Sequence, residues 1–330
     1  MDPLSDALHL ARFTGAVFLE ARFTAPWSVL TQAAPRATAG QRESEYLVKY
    51  HLITEGTCVA RLPGDELVWL EAGDLVLFPH GEQHELASAI GLPTVSTEAL
   101  IDAPTSEMRR LDHGGGGAVT RMLCGFLTCD PNVCKPLLSA LPRMMRLKAG
   151  SGPVAAWFES AVQYTLDGSL GAQVGGNVVV AKMAEMLFAE AVRRYVESLP
   201  VEQRGWLAGL RDRHIGRALA LMHERPAYAW TVEELGRQVA MSRSSLAMRF
   251  TQVLGQTPMA YLASWRMQLA AQMLIADARP IVRIAEETGY ESESSFNRAF
   301  KRSFDVPPAT FRREQQRARM PHALPVHAVA

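Results

Sequence analysis

No uninterrupted apolar run in this sequence approaches 18 residues, so it contains no candidate transmembrane helix. Asp2 and Asp6 stand where a secretory signal peptide carries cations, so we expect no export signal. Only four cysteines occur in 330 residues, too few for a disulfide scaffold. These absences favour a globular protein of a bacterial cytoplasm.

The sequence also lacks net charge, but this balance hides two halves of opposite sign. Residues 211–320 contain 17 Lys and Arg against 11 Asp and Glu, a net charge of +6. The remainder of the chain carries −6. In an otherwise neutral protein, a basic domain is typical of one that binds the phosphate backbone of a nucleic acid. The charge distribution therefore favours nucleic-acid binding.

A repeated unit occupies residues 231–313. Two stretches of similar sequence lie 49 residues apart, and the offset becomes 50 after one inserted residue. A repeat of this kind predicts two similar supersecondary units. The matched pairs are Leu235 with Ile284, Ala240 with Gly289, Leu246 with Phe296, Phe250 with Phe300, Leu254 with Phe304, Pro258 with Pro308 and Tyr261 with Phe311.

The pattern of each copy predicts a helix, a tight turn and a second helix. Thr231 and Glu234 form a capping box at the start of the first copy, and Ser242 can cap its second helix. Apolar residues at helical spacing form the buried stripe of each second helix. The outer faces keep hydroxyl, amide and cationic side chains, which are the groups that contact base edges and phosphates.

The segment between the two copies predicts a long helix. Thr257 is a candidate cap and Pro258 sits in the first turn, where its missing N–H is tolerated. About twenty helical residues span roughly 30 Å. This length is close to one turn of DNA, about 34 Å, so the linker can hold two recognition helices at successive major grooves.

The second unit resembles the signature of the AraC/XylS family of transcription regulators, on Ala285, Gly289-Tyr290, Phe296, Arg298, Phe300-Lys301, Phe304, Pro308 and Phe311-Arg312. The resemblance extends from His214 to Arg313, and it implies that the second helix of each unit enters the major groove. It identifies base-facing candidates Ser244, Ala247, Met248, Ser294, Asn297 and Arg298. Arg243, Lys301 and Arg302 are the candidates for phosphate. Met248 departs from the family, which often has Arg there, so we expect apolar base contacts from the first helix.

Residues 1–150 have β character, with short strand-like runs separated by Gly and Pro turns. The order YHLITEG and then LEAGDLVLFPHGEQHEL resembles the cupin domain that many AraC-family regulators carry at the N-terminus. The expected fold is therefore α+β and multidomain. A β-barrel or jelly-roll cupin-like domain is followed by a helical dimerisation linker and an all-α domain with two helix-turn-helix units.

Catalytic cupins usually place two metal-binding histidines one residue apart, and this sequence has no such pair. His51 and His84 remain as candidate effector residues, and we predict no metal, no cofactor and no catalytic residue. Cys124, Cys129 and Cys134 follow one another at five-residue steps. The stretch around Cys124 resembles a subgroup that includes sensors of oxidants and electrophiles. These cysteines are therefore candidates for redox sensing, and buried structural thiols are the alternative.

The expected domains are a cupin-like sensor at 1–150, a helical linker at 151–205, a DNA-binding domain at 206–317 and a disordered tail at 318–330. In the linker, residues 176–199 predict a long amphipathic helix that either packs on the barrel or pairs in a homodimer. The predicted function is a DNA-binding transcription regulator, more an activator than a repressor. Its partners are double-stranded DNA, a small-molecule or redox effector and RNA polymerase. The alternatives are a thiol-based redox regulator and a metal-dependent cupin enzyme fused to a DNA-binding module.

Overall fold

The computed structural model describes residues 2–33, 46–65, 67–100, 109–148, 160, 176–200 and 202–319. They divide into two compact units, Ala11–Leu199 and a second unit that combines the first ten residues with the chain from Pro200 onward. Most of the first half of the helical linker predicted at 151–205 lies outside the described residues, since only Ser160 is described between residues 149 and 175. So does the predicted tail, apart from its first two residues. No helix among the described residues is long and apolar enough to cross a membrane.

Eleven strands are described in the first unit, and they confirm the predicted β domain. Their bounds are β1 Thr14–Thr24, β2 Ser28–Thr31, β3 Tyr46–Glu55, β4 Thr57–Arg61, β5 Val68–Glu71, β6 Leu75–Phe78, β7 His84–Ala87, β8 Val95–Ser96, β9 Arg109–Gly114, β10 Val119–Cys129 and β11 Met145–Leu147.

The strands form two sheets that share one apolar core. The six-stranded sheet has the order β11-β6-β3-β10-β1-β9, and the five-stranded sheet has the order β5-β4-β7-β2-β8. β1 pairs with β9 and β2 with β8 in parallel, whereas the other pairs are antiparallel. Side chains from both sheets fill the interior, among them Phe23, Ile53, Leu70, Phe78 and Met122. This arrangement is the sheet-on-sheet packing of a jelly roll.

The described helices are α1 Pro3–Ala11, α2 Thr97–Leu100, α3 Pro131–Leu138, α4 Gly176–Ser198, α5 Trp206–Arg211, α6 Arg213–Glu224, α7 Val232–Gln238, α8 Arg243–Leu254, α9 Pro258–Ala276, α10 Ile281–Glu287, α11 Glu293–Phe304 and α12 Pro308–Arg319. Helices α7–α8 and α10–α11 are the two predicted helix-turn-helix units, and α9 is the predicted linking helix.

α4 packs along the six-stranded sheet through small and aromatic residues. Phe188 contacts Phe13, with ring centroids 4.6 Å apart. A Cβ added at Gly15 of β1 would lie 2.6 Å from the Ala181 carbonyl oxygen and 2.8 Å from the Ala184 Cβ. Glycine at this position therefore allows the helix backbone to approach the strand closely.

Candidate DNA interface and barrel site

The second helix of each helix-turn-helix unit, α8 in the first and α11 in the second, begins with the same arrangement of three serines. Ser242 caps α8 by accepting from the Ser245 amide at 3.2 Å, and Ser292 caps α11 by accepting from the Ser295 amide at the same distance. The hydroxyl of Ser244 lies 3.1 Å from that of Ser242, and the hydroxyl of Ser294 lies 3.2 Å from that of Ser292. The sequence repeat is therefore also a repeat of geometry at the ends that we expect to meet DNA.

On α8 the predicted outer face is open to solvent at its first turns. Ser244 is exposed, and Met248 is 68% exposed, the largest value among the exposed large hydrophobic residues. Ala247 between them is half-buried, while Leu246 and Phe250 are fully buried. An exposed thioether at the centre of a polar face suits contact with a thymine methyl group, which is apolar.

On α11 the candidates separate by exposure. Ser294 and Arg298 are exposed, and Phe296 and Phe300 are fully buried. Asn297 is half-buried, and its Oδ1 atom is buried without a hydrogen-bond partner among the described residues. Arg298 is thus an exposed cation of α11 that can reach a base, and a base-reading role for Asn297 stays a prediction.

The candidate cations of both helices are exposed and make no ion pair with a described carboxylate; they are Arg243, Arg298, Lys301 and Arg302. Other arginines of the same unit are paired. Arg249 contacts Asp212 at 2.7 Å, and Arg279 contacts Asp277 at 2.7 Å and Glu287 at 2.6 Å. Unpaired exposed cations at the two recognition helices are available to phosphate without first breaking an internal contact.

In the barrel, His51, His84 and Cys124 form a buried hydrogen-bonded chain. His84 Nδ1 lies 2.9 Å from the Glu82 carbonyl oxygen, which only accepts, so this nitrogen carries the proton. His84 Nε2 is then the acceptor for His51 Nε2–H at 2.7 Å. His51 Nδ1 in turn accepts from the Cys124 thiol at 3.0 Å. One backbone carbonyl therefore fixes the tautomers of both rings.

Burial keeps this chain neutral. It lowers the pKa of His84 to about 3 and that of His51 well below its usual value, with repulsion between the two rings adding to the effect on His51. Burial also raises the pKa of Cys124, so its thiolate is disfavoured. Because the thiolate is the nucleophilic form of cysteine, burial at this site acts against reactivity of Cys124.

The two histidines bond to each other at a separation that does not fit a tetrahedral zinc ion. Two imidazole nitrogens bound to one ion, each at about 2.0–2.1 Å in tetrahedral geometry, lie more than 3 Å apart. The two Nε2 atoms are separated by 2.7 Å, a hydrogen-bond distance, and Cys124 contacts the opposite edge of the His51 ring. Within the described ranges, no group of three or more His, Cys, Asp or Glu side chains is placed to hold an ion.

Cys129 and Cys134 are joined by a disulfide between the end of β10 and the first turns of α3. Both residues are buried. The three cysteines that the sequence places at equal steps thus have two different environments, a linked pair and a single thiol that donates to a histidine.

Lys49 is a charged residue of the barrel that sequence reasoning missed. It lies two residues before His51 on β3, is half-buried and donates to the Gln32 carbonyl oxygen. Burial lowers its pKa to about 8. The alternation of β3 places Lys49 on the same face as His51. That alternation was the one sequence signal that could have identified it.

Two family models match the chain. A model described as Cupin matches residues 2–197, and a model described as a helix-turn-helix domain matches residues 235–314. The first match covers the described barrel and α4, and the second covers the two helix-turn-helix units from Leu235 onward.

Two curated relatives illustrate matches that cover most of both chains. An AraC-like transcription regulator of Streptomyces antibioticus is 30% identical over 95% of this chain and 99% of its own. The RCS-specific HTH-type transcriptional activator RclR of Escherichia coli K12 is 30% identical over 81% of this chain and 84% of its own. Among solved structures, ToxT of Vibrio cholerae O395 aligns with 92% of this chain and 99% of its own, with 12% identity and a TM-score of 0.36.

Proposed function

This chain belongs to the AraC-like transcription regulators, in which a cupin domain precedes a helix-turn-helix domain, and from this we propose how it works. Helices α8 and α11 enter successive major grooves on one side of a duplex, and the protein activates transcription at the promoter it binds. Ser244, Met248, Ser294 and Arg298 contact base edges, whereas Arg243, Lys301 and Arg302 contact phosphates.

One observation carries this proposal: two recognition helices with the same cap are joined through one helix, and each presents exposed, unpaired cations. Direct readout needs donors such as Arg298, which can bind guanine O6 and N7 together. The net charge of +6 over residues 211–320 supplies the non-specific attraction to the DNA backbone. Neither feature is required of helices that only pack within a protein.

The barrel supplies the signal. We propose that a small-molecule or redox effector favours one of two arrangements of the protein by binding that arrangement better. The barrel is then a sensor and performs no reaction, RNA polymerase is the partner that responds, and the protein acts as a homodimer in the cytoplasm. The relatives are named as transcription regulators, which supports a regulatory role for this chain.

Substitution of Arg298 tests the readout. Wild-type protein first selects duplexes from a random pool. Footprinting then locates the two DNA segments that the two recognition helices contact, which we call boxes. On a selected duplex at fixed salt, Arg298→Ala should lose about 1–3 kcal/mol of discrimination against a changed base pair in one box. Lys301→Ala, the matched loss of one cation, should weaken selected and scrambled DNA alike. Equal losses on both duplexes for Arg298→Ala would contradict the readout.

The disulfide between Cys129 and Cys134 favours a second candidate, a redox regulator. In a cytoplasmic protein a disulfide is usually transient and redox-sensing, because cellular reductants keep most thiols reduced. Two thiols would lose two electrons and two protons to a hydroperoxide, which becomes an alcohol and water. A Cys129→Ser/Cys134→Ser protein should then show DNA affinity unchanged by peroxide, while Cys124→Ser keeps the wild-type response. A wild-type protein whose affinity ignores peroxide and dithiothreitol contradicts this candidate.

A further inference from the structure

Arg266, in the middle of the linking helix α9, contacts both the segment that leads into the first helix-turn-helix unit and the turn of the second. Its Nε donates to the Pro226 carbonyl oxygen at 2.7 Å, and one terminal nitrogen donates to the Tyr228 carbonyl oxygen at 2.9 Å. Its other terminal nitrogen lies 3.4 Å from the Gly289 carbonyl oxygen, a long hydrogen bond. Pro226 and Tyr228 precede the first unit, and Gly289 forms the turn of the second.

The segment 225–230, which we call the entry turn, is ordered by its own contacts. Tyr228 N and the Trp230 indole both donate to the Arg225 carbonyl oxygen at 3.1 Å. The Arg225 guanidinium lies 4.1 Å from the centroid of the Tyr228 ring. These contacts order the turn, so it presents the Pro226 and Tyr228 carbonyl oxygens to Arg266 in a defined arrangement.

The backbones of the two units also touch beside Arg266. Gly289 has a left-handed φ of +80°, and a Cβ added to it would lie 2.8 Å from the Ala227 Cα and 2.8 Å from an Arg266 nitrogen. The entry turn and the Gly289 turn are therefore in van der Waals contact. With three carbonyl oxygens around one planar cation, their relative orientation is defined and not only their distance.

We propose that Arg266 is a positioning residue that fixes the spacing of the two recognition helices and so sets the spacing of DNA boxes that the protein accepts. This inference rests on the proposed function. α9 sets the distance between the two units and packs against helices of both. Arg266 and the contact at Gly289 also define the relative orientation of the units, so the two helices meet one register of a duplex.

The test uses the full chain and a duplex that wild-type protein selects from a random pool. Spacers one base pair longer and shorter are compared with the selected spacer, and a duplex with one box scrambled measures one-box binding. One base pair rotates a box by about 34°, so the wild-type affinity should fall about 10-fold or more. For Arg266→Ala the fall should be less than about 3-fold, with an affinity on the selected spacer about 10-fold below wild type.

Two further variants separate positioning from charge and from folding. Arg266→Lys keeps the cation but not the planar set of donors, so it should tolerate the changed spacers as the alanine variant does. Arg283→Ala removes an exposed arginine of α10 that pairs with Glu286, and it should keep the wild-type spacer profile. One-box binding should stay within about 2-fold of wild type in the folded variants, because a single unit needs no spacing.

Each outcome has a defined meaning. If Arg266→Lys, or a folded Arg266→Ala, loses as much affinity on the changed spacers as wild-type protein does, this inference is overturned. The proposed function is then unaffected. If Arg266→Ala unfolds by circular dichroism, the lysine variant decides the question. A wild-type protein that selects no duplex overturns the proposed function and this inference together.

Discussion

Ala240 and Gly289 occupy the same position in the two helix-turn-helix units, and both have a left-handed backbone. Their φ angles are 55° and 80°. In each unit the next residue donates back across the turn, Met241 to the Gly236 carbonyl oxygen at 2.8 Å and Tyr290 to the Ala285 carbonyl oxygen at 2.9 Å. The turn therefore requires this conformation, and the first unit adopts it with a residue that has a Cβ.

We expect Ala240→Gly to stabilise the protein. A left-handed alanine costs about 1–2 kcal/mol, and glycine returns part of that gain through its larger entropy in the unfolded chain. The net increase in the free energy of unfolding should be about 0.5–1 kcal/mol, measured by urea denaturation of the full chain. The reverse change, Gly289→Ala, serves as the control and should destabilise, because its Cβ would lie 2.8 Å from the Ala227 Cα. A less stable Ala240→Gly protein contradicts this account.

At the scale of elements, Asp212 connects the start of one helix to the middle of another. Its side chain accepts from the amides of His214 and Ile215, both at 3.0 Å, and so caps α6. Its other oxygen accepts from Arg249 of α8 at 2.8 and 2.7 Å. One carboxylate thereby holds a recognition helix against the helix that supports it.

Two substitutions of Asp212 should separate these roles. Asp212→Asn keeps a good capping oxygen but loses the ion pair, and it should cost about 0.5 kcal/mol of unfolding free energy because Arg249 is half exposed. Asp212→Ala loses both and should cost about 1.5–2 kcal/mol. Chemical denaturation of both variants beside wild type measures the difference. Equal costs would show that the cap adds nothing.

Local patterns in the sequence predicted the helices of the second compact unit, which contains both helix-turn-helix units, well. Thr231, Ser242 and Thr257 each cap the helix that the sequence indicated, and Phe296 and Phe300 are buried as their spacing required. These features depend on neighbours within a few residues. For the same reason the long helix predicted at 176–199 appears as α4, Gly176–Ser198.

Contacts between distant residues could not be predicted in this way. His51 meets Cys124 because β3 and β10 pair in one register, and it meets His84 only across the two sheets. Arg266 reaches carbonyl oxygens 40, 38 and 23 residues away. The short strands β2 and β7 have four residues each, too few for a clear alternation of buried and exposed residues to indicate them.

The outer face of the helix α4 leads to a further prediction at the scale of elements. Ala184, Phe188, Ala191 and Val192 are buried, whereas Val179 and Met186 are 44% and 55% exposed. Exposed apolar residues on a helix adjacent to a packed face suit pairing with a second copy of the chain. The buried face shows that α4 also packs within its own unit, so both interpretations of this helix remain compatible.

Met186→Glu should therefore weaken the proposed homodimer. A carboxylate within an apolar interface must be desolvated, and we expect the dimer dissociation constant to rise at least about 10-fold in sedimentation experiments. Arg283→Gln changes the net charge by the same single unit at an exposed side chain of the other compact unit, and it should leave the dimer intact. A wild-type protein that sediments as a monomer at all concentrations would contradict the dimer itself.

At the scale of the whole molecule, each compact unit holds neutral histidines in its interior. His51 and His84 lie in the first unit. His223 lies in the second, where it stacks on Trp265 with centroids 3.6 Å apart and contacts the Tyr261 hydroxyl at 2.7 Å. Burial lowers the pKa of His223 to about 3, as it does for His84. The folded first unit therefore excludes protons that His51 and His84 bind below pH 6.5 in the unfolded chain.

This difference makes stability depend on pH in a defined direction. Between about pH 6.5 and pH 3 the unfolded chain binds more protons than the folded one, so stability falls as the pH falls through that window. Carboxylates with lowered pKa values, such as Asp212 and Glu190, act in the same direction but chiefly below pH 5. The loss between pH 6.5 and pH 5 should therefore come mainly from the histidines.

At pH 5 each buried histidine should cost about 2 kcal/mol relative to neutral pH, since one pKa unit corresponds to about 1.4 kcal/mol. For the unit that contains His51 and His84, this cost lowers the Tm by roughly 10 °C between pH 7.5 and pH 5, a shift that scanning calorimetry can measure. His51→Gln/His84→Gln should start from a lower Tm at pH 7.5, because the buried hydrogen bonds are changed, but its first-unit transition should move little with pH. If the wild-type transition does not move either, the two rings are protonated in the folded protein, and the neutral chain from Cys124 to the Glu82 carbonyl oxygen is wrong.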